Sequence, residues 1–508
     1  MAFGVLESNA SQPAGTVFLE DSHDMHTILV PAPSNSPNDP LNMSRVRKEL
    51  YFLTLLFGAC VTGALGPVLV PAFGIVSQTF QTPLSKVALL NGSLVLGLGV
   101  SSYFSAIISD LWGRRIVFVL TSILLVVSSI WAAVSQGYES LLAARVFQGL
   151  AMGPFFSLAG TSCVNDVFFL HQRGRRVGLW NFAVIVSVNI APVISGYLIV
   201  DMGWRWAFWF LAVAFAVGLI MVVFFLPETK WDRDEVISGG NETEKGPDVE
   251  TVPVEPVPAE PVPVDTWKRI CGVQHVQFAS AKELLPSLVR PILMLRHPVV
   301  IWGCIMWSIT FTWVIVLGTI ADQIFGAPPY SLDPTQVGLV IGIAPLVGSA
   351  LGTLVSGWMS DLAAHYMSAF NGGLYEPEFR LVVIVPSAIT MTVGAFGLGD
   401  AIEHAKPTMV CCVFLALINF GVGAGCTGIV TYTNDVCMDR AGSAFGLAML
   451  IKSSFAFGLT FMLNDYYATQ GPMVFFSTWG GLTLGICLTT VPLYIFGKRI
   501  RSWMGDQV

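Results

Sequence analysis

The sequence predicts an all-α membrane protein whose twelve transmembrane helices form two pseudo-symmetric six-helix bundles. Hydrophobic residues make up 54% of the 508 residues and charged residues only 12%, which is too little polar surface for a soluble globule of this size. Twelve mostly apolar stretches each reach the roughly 20 residues needed to cross a bilayer. A charged turn within Tyr103–Leu120 has a second copy at Gly357–Asp361, about half a chain later. This spacing indicates a duplicated six-helix unit.

The predicted spans are separated by short polar turns, except in the middle of the chain. They cover residues 50–74, 84–108, 116–134, 139–166, 177–200, 204–226, 298–321, 337–360, 380–399, 407–434, 441–464 and 472–497. The domains expected from them are a disordered N-terminal tail (1–48), a first bundle (49–226), a linker (227–297), a second bundle (298–497) and a short tail (498–508).

The positive charges predict the orientation. Of 26 lysines and arginines, 21 lie on the side of the N-terminus and three on the opposite side. Since positive residues accumulate in the cytoplasm, we expect both termini and the linker there. The acidic, proline-dense tract Val252–Asp265 predicts an extended, solvated linker. Leu284–Arg296 predicts a short interfacial helix before the seventh span.

The charged turn after the second span predicts a clasp at the membrane surface. It contains Asp110, Gly113, Arg114 and Arg115, and its second copy ends at Asp361. Arginines resist entering hydrocarbon, and an adjacent carboxylate can hold them in place. We therefore expect the turn to act as a conformational clasp.

Two further carboxylates occupy equivalent span ends. Asp166 closes the fourth span and Asp435 closes the tenth. We expect Asp166 to pair with Arg114 or Arg115, and Asp435 with Arg440 or another cytoplasmic cation. The alternative is ordinary solvation of helix ends.

Two cations fall inside spans. Arg145 shares a helix face with Gln148, three residues later, and Lys452 lies in the eleventh span. An arginine facing lipid costs roughly 2.5–3.5 kcal/mol, so Arg145 should face the bundle interior. Both cations are candidates for binding an anionic substrate group or for proton coupling. The alternative is structural, with Arg145 paired to backbone carbonyls near the outer end.

Several motifs resemble the major facilitator superfamily, and more narrowly the fungal branch of its twelve-span drug:proton antiporter group. They are SDLWGRR, ARVFQGLAMGP, HQRGRRVGLWNF, MGWRWAFWF, LPETK, LYEPEFRL and FAFGLTFMLND. The chain departs from the group's patterns at Ala106, where glycine is usual, and in the fifth-span signature, matched only as Asn189–Gly196. No carboxylate lies between Leu50 and Phe80, so no proton carrier can be assigned there.

The resemblance implies a central cavity lined by the first helix of each three-helix repeat. Polar and aromatic residues on those helices are the pocket candidates: Thr62, Ser157, Trp307, Thr310, Asn419 and Tyr432. Pro192 and Gly196 are predicted to kink the fifth span. No deep carboxylate faces Arg145 and Lys452 in the first, seventh or eighth predicted spans, the seventh of which is predicted to end at residue 321. This favours an anionic or neutral solute over a polyamine.

The expected function is proton-coupled secondary active transport by alternating access, with export of a small organic metabolite or drug, including secondary metabolites. An importer of a polyamine or organic acid is the alternative, and a transporter-like sensor or scaffold is an alternative of another class. We expect no enzymatic activity, metal, nucleic acid or cofactor, and a proton gradient as driving force. The expected protein is a monomer of the plasma membrane, or alternatively of the vacuolar membrane, that binds a small molecule, protons and the lipid bilayer.

Overall fold

The computed structural model describes residues 5, 16–18, 39–230, 281–371, 374–437 and 441–504. Within them, twelve helices are long and apolar enough to cross a membrane. We number them as spans one to twelve: Arg45–Phe80, Leu84–Trp112, Arg114–Val134, Tyr138–Val167, Arg176–Met202, Trp204–Phe225, Pro298–Phe325, Pro334–Phe370, Pro377–Glu403, Thr408–Cys437, Gly442–Thr460 and Pro472–Trp503. The predicted all-α membrane fold is confirmed.

Several spans are interrupted helices. The first consists of an α-helix, Arg45–Leu65, a 3-10 segment, Pro67–Ala72, and a second α-helix, Phe73–Phe80. Pro67 and Pro71 lack an N–H, so the α-helical ladder cannot continue through them. Other breaks divide the fourth span into Tyr138–Ser157 and Ser162–Val167 and the twelfth into Pro472–Leu488 and Thr490–Met504. The ninth span begins with a 3-10 segment, Pro377–Val383, and continues as the α-helix Ile384–Glu403.

The two six-helix halves contact each other along the second and eleventh spans, and also between the first and seventh and between the fifth and eighth spans. We call the end with the Asp110–Arg115 turn the clasp end, which is predicted to be cytoplasmic, and the opposite end the far end. The far-end segments of the first span, Pro67–Ala72 and Phe73–Phe80, pack against the seventh span. The fifth span reaches the eighth near Gly196, whose added Cβ would lie 2.8 Å from the carbonyl oxygen of Pro334. The far end is therefore sealed between the halves.

The outward faces of the spans suit a lipid environment. Large apolar side chains such as Leu120, Val213, Phe224 and Leu354 are more than half exposed. An 18-residue window of the sixth span has a mean hydropathy of 2.7, yet only 28% of that window is buried inside the protein. Exposed apolar surface on this scale is stable only against hydrocarbon.

The predicted interfacial helix is present. It runs over Ala281–Leu293 and continues as a 3-10 turn, Met294–Arg296, before the seventh span. The hydroxyl of Tyr103 in the second span donates to the carbonyl of Leu288 at 2.5 Å. This contact joins the helix that leads into the second half to the first half. The proline tract Val252–Asp265 lies outside the described residues.

The N-terminal segment contains structure that the predicted disordered tail of residues 1–48 did not include. Val17–Phe18 (β1) pairs antiparallel with Leu374–Tyr375 (β2), between the eighth and ninth spans. Pro40–Asn42 forms a 3-10 turn, and the first span begins at Arg45. Backbone pairing and burial stabilise these pieces despite their polar composition. The remainder of the predicted tail lies outside the described residues.

Candidate functional site

The N-terminal clasp centres on Arg114. Its guanidinium pairs with Asp110 and with Asp166, the latter at 3.3 Å from Nε to Oδ2, and it also donates to the Ser109 hydroxyl at 2.7 Å. Arg115 donates to the carbonyl of Val223 at 2.9 Å. The second, third, fourth and sixth spans are thus joined at one surface. The expected pairing of Asp166 is found with Arg114.

Glu228 completes this clasp from the end of the sixth span. Its carboxylate accepts from the backbone N–H of Arg114 at 2.8 Å and of Arg115 at 3.0 Å, the first turn of the third span. A carboxylate there satisfies N–H groups that no helix carbonyl can reach, and it complements the helix dipole. Gly113 has φ +99°, and an added Cβ would lie 2.5 Å from a Glu228 carboxylate oxygen. The glycine is therefore needed for both conformation and space.

The second half repeats the arrangement around Arg380. Its Nε lies 2.8 Å from Asp435, and its NH1 group lies 3.5 Å from Asp361. The Tyr375 hydroxyl donates to Asp435 at 2.5 Å and accepts from Arg380. Burial, with a smaller contribution from Asp435, raises the pKa of Tyr375 above its ordinary value. The cation paired with Asp435 is thus Arg380, while Arg440 lies outside the described residues.

Arg145 is fully buried within the first half. Its guanidinium donates to the carbonyl of Leu65 at 2.9 Å, that of Gly66 at 3.3 Å, the side-chain oxygen of Asn91 at 3.3 Å and that of Gln148 at 3.1 Å. The two carbonyls lie where the first span is interrupted. Arg145 thus compensates that interruption, which corresponds to the structural alternative of the sequence analysis.

Lys452 has a different environment. It is 5% exposed, and its ammonium lies 4.8 Å from the ring centroid of Trp307 and 3.8 Å from that of Phe311, both in the seventh span. Among the described residues, no carboxylate forms an ion pair with it. Aromatic faces stabilise a cation without neutralising it. The ammonium therefore keeps its capacity to bind an anion.

The other pocket candidates do not join Lys452 in one cluster. The hydroxyls of Thr62 and Ser157 donate to carbonyls of their own helices, and Asn419 does the same through its amide. Thr310 and Tyr432 are fully buried. Of the pocket candidates, Trp307 lies against the Lys452 ammonium, and the roles of the remaining candidates stay predictions.

Pro192 and Gly196 lie in a contact between the halves. The fifth-span helix runs unbroken over Leu170–Met202 with Pro192 inside it. A Cβ added at Gly338 in the eighth span would overlap the Pro192 carbonyl, and the Thr335 hydroxyl lies 3.5 Å from the Gly196 carbonyl. The two residues permit close approach of the eighth span, whether or not they bend the fifth.

Two groups of charged residues were missed by the sequence analysis. Arg501 is buried against Glu376 at 2.8 Å and Glu378 at 2.7 Å, with Lys498 also paired to Glu376. The motif LYEPEFRL contains both glutamates and was the available signal. Asp322 lies inside the seventh span, because the helix extends to Phe325 rather than ending at 321. The expectation that this span holds no carboxylate is therefore corrected.

This arrangement defines a class of membrane protein. Two six-helix halves with repeated clasps, sealed at one end and containing a buried cation between helices, are typical of secondary transporters built from repeats. The chain belongs to the Major Facilitator Superfamily, whose family model matches residues 52–461. The family predicted from the motifs is thereby confirmed.

Individual relatives agree with this assignment. The chain is 27% identical to MFS transporter cpaT of Aspergillus oryzae, over 93% of this chain and 91% of the relative. It is 21% identical to the probable efflux pump mfs2 of Aspergillus flavus, over 86% and 99%. The structure of the xylose transporter XylE from E. coli in a partially occluded inward open conformation matches with a TM-score of 0.62 at 16% identity, covering 88% of this chain and 98% of that chain. These fungal relatives confirm the predicted fungal branch, and the solved structure confirms the fold.

Proposed function

We propose that this transporter exports a small anionic or neutral organic solute in exchange for protons, by alternating access. The observation that carries the proposal is the Lys452 ammonium, which is buried against Trp307 and Phe311 without a carboxylate partner in the described part of the chain. A desolvated cation with this surrounding binds an anionic group far more strongly than it would in water. The aromatic faces would accept the apolar body of the same solute.

The charge of this region disfavours a polyamine. Cationic amines require buried carboxylates, whereas the Lys452 ammonium lies over the rings of Trp307 and Phe311 and interacts electrostatically with the thiol of Cys426. A carboxylate or phenolate on a small organic molecule would instead pair with Lys452. Metabolites with an acidic group on an aromatic skeleton fit both features.

The direction of transport is proposed from one relative, a probable efflux pump, and the similarity to it supports export. We propose the plasma membrane as its location, where export leads out of the cell.

Transport assays with inside-out membrane vesicles test the proposal. Labelled aromatic acids, aliphatic organic acids, polyamines and neutral fluorescent drugs would be offered with and without an imposed pH gradient. We expect accumulation of an aromatic acid or neutral drug that depends on the gradient, and no polyamine transport. Gradient-driven transport of polyamines alone would overturn the substrate class, and equal transport without a gradient would overturn proton coupling.

A pair of lysine variants tests the anchoring residue. Lys452→Ala should raise the KM for an anionic substrate more than tenfold, while Lys452→Arg should keep much of the affinity because the positive charge remains. Lys406→Ala is the matched control, since Lys406 lies at the far end and pairs with Asp400. An unchanged KM in Lys452→Ala, with normal delivery to the membrane, would contradict the role of Lys452.

A further inference from the structure

The seal at the far end contains one carboxylate that lacks a cation. Asp322 lies near the end of the seventh span and faces the first span of the other half. The Gly74 N–H interacts with its carboxylate, and a Cβ added at Gly74 would lie 2.8 Å from Oδ2. Neighbouring Gly318 packs towards Val70, 3.9 Å from the position of an added Cβ to Cγ2. Asp322 is therefore inside the contact that closes the far end.

Asp322 differs from the other carboxylates in the described spans, because it is shielded from solvent and has no cationic partner. Every other carboxylate in those spans is either exposed to solvent or paired with a lysine or arginine. Asp322 is only partly exposed, and its carboxylate interacts with the backbone N–H of Gly74. A carboxylate in such a place is poorly stabilised when ionised.

No charged group on the packed elements compensates it. The segments of the first span that pack there, Pro67–Ala72 and Phe73–Phe80, carry no titratable residue. The eighth span begins at the exposed Asp333, and the helix Leu463–Gln470 carries the exposed Asp465 with Tyr466 and Tyr467. The other lysines, arginines and aspartates on the described elements packed against the seventh span lie towards the clasp end. Lys452 lies over Trp307 and Phe311, three to four turns from Asp322. The remaining ones lie still further along, at the clasp end itself: Arg296, Asp361, Asp435, Lys498, Arg499 and Arg501.

We propose that Asp322 takes up the coupled proton from the far end, and that its neutralisation allows the two halves to close there. With the far end open, water solvates the ionised carboxylate. Closing moves the group between the halves, which favours the neutral form. By linkage, a proton that is bound more tightly in the closed state shifts the equilibrium towards closure. This inference rests on the proposed proton-coupled transport and identifies the residue that couples it.

This inference can be tested without a transported solute, by measuring how fast a thiol reagent reaches the contact between the halves at the far end. Val70 is 2% exposed, so a cysteine at Val70→Cys should react with an impermeant maleimide only when the far end opens. Thr79→Cys, at an exposed position of the same span, corrects for the intrinsic effect of pH on the thiol, and the parent chain gives the background from native cysteines. We expect the corrected rate to rise with external pH, by up to about tenfold per pH unit for one titrating group.

The variants at the seal separate the outcomes. With Asp322→Asn, the corrected rate of the maleimide reaction should stay at its low-pH value over the whole pH range. The control Asp400→Asn changes a far-end carboxylate that is exposed, so its rate should depend on pH as in the parent. Gly74→Ala should raise the rate at every pH, because its Cβ would obstruct closure.

A pH dependence retained in Asp322→Asn, or absent from the parent, would overturn the proposal. Were Asp322→Asn not delivered to the membrane, an unchanged rate in Gly74→Ala would overturn it. A different substrate would leave this readout intact, which distinguishes the two failures.

Discussion

Arg114 and Arg380 occupy equivalent positions in the two halves, and each bridges the carboxylate of a clasp turn to the carboxylate that ends a span. Arg114 joins Asp110 to Asp166, and Arg380 joins Asp361 to Asp435. Both bridges remain inside their own half. Each half therefore has an internal brace at the clasp end, which lets it move as a rigid unit.

The brace in the second half should depend on one of its two acids. Asp435 is shielded and also receives the Tyr375 hydroxyl, whereas the Asp361 side chain is 80% exposed. Arg380→Ala and Asp435→Ala should each lower the melting temperature in detergent, with a coupling of about 0.5–3 kcal/mol in the double variant. Asp361→Ala should have little effect, because solvent screens an exposed pair. Equal effects of the two aspartate variants would contradict this account.

Gly113→Ala should destabilise the protein by about 1–3 kcal/mol through backbone strain and the clash with Glu228. Gly203→Ala is a matched control, since Gly203 has φ +91° but no atom within 4 Å of an added Cβ. Gly203→Ala measures the backbone strain alone. The difference between the melting temperatures of the two variants therefore measures the clash of the Cβ at position 113 with Glu228. No difference would show that Glu228 moves away freely.

Arg145→Ala should mainly reduce stability. The change leaves the carbonyls of Leu65 and Gly66 without their donor inside the bundle, and leaving a buried acceptor unsatisfied costs about 1–3 kcal/mol. Yield and thermal stability should fall, while the fraction that folds should retain its substrate KM. Arg205→Ala, at a partly buried site near Trp204, should cost much less. A raised KM with unchanged stability would instead assign Arg145 to substrate binding.

Arg501 should be essential to the stability of the second half. Glu376 and Glu378 are 2% and 0% exposed, so Arg501→Ala leaves two carboxylates buried together. We expect a loss of about 3–5 kcal/mol, measured by thermal unfolding. Adding Glu378→Gln should recover part of that loss, because one buried charge is removed. Further destabilisation by the second change would contradict the proposed cause.

Hydropathy and symmetry were sufficient to predict the twelve spans and the pairing of Asp166 with an arginine of the clasp turn, Arg114 or Arg115. Both depend on patterns that repeat along the chain, namely long apolar runs and equivalent carboxylates about half a chain apart. The interfacial helix was predicted from its own amphipathic segment and is observed over Ala281–Leu293.

Features that depend on backbone groups or on exact helix ends could not be predicted. The partners of Arg145 are carbonyls at an interruption of the first span, and those of Glu228 are backbone N–H groups. Neither kind of partner leaves a side-chain signature in the sequence. The predicted seventh span ended one residue before Asp322, which placed a shielded carboxylate in a loop.

Glu228 also fixes the point at which the chain leaves the first half. Its carboxylate accepts from the N–H groups of Thr229 and Lys230 in addition to those of the third span. Thr229 further contacts Asp166, and the Lys230 ammonium donates to the Leu111 carbonyl. Mechanical tension applied along the chain beyond residue 230 would consequently be delivered to the brace around Arg114 before it reached any helix interior.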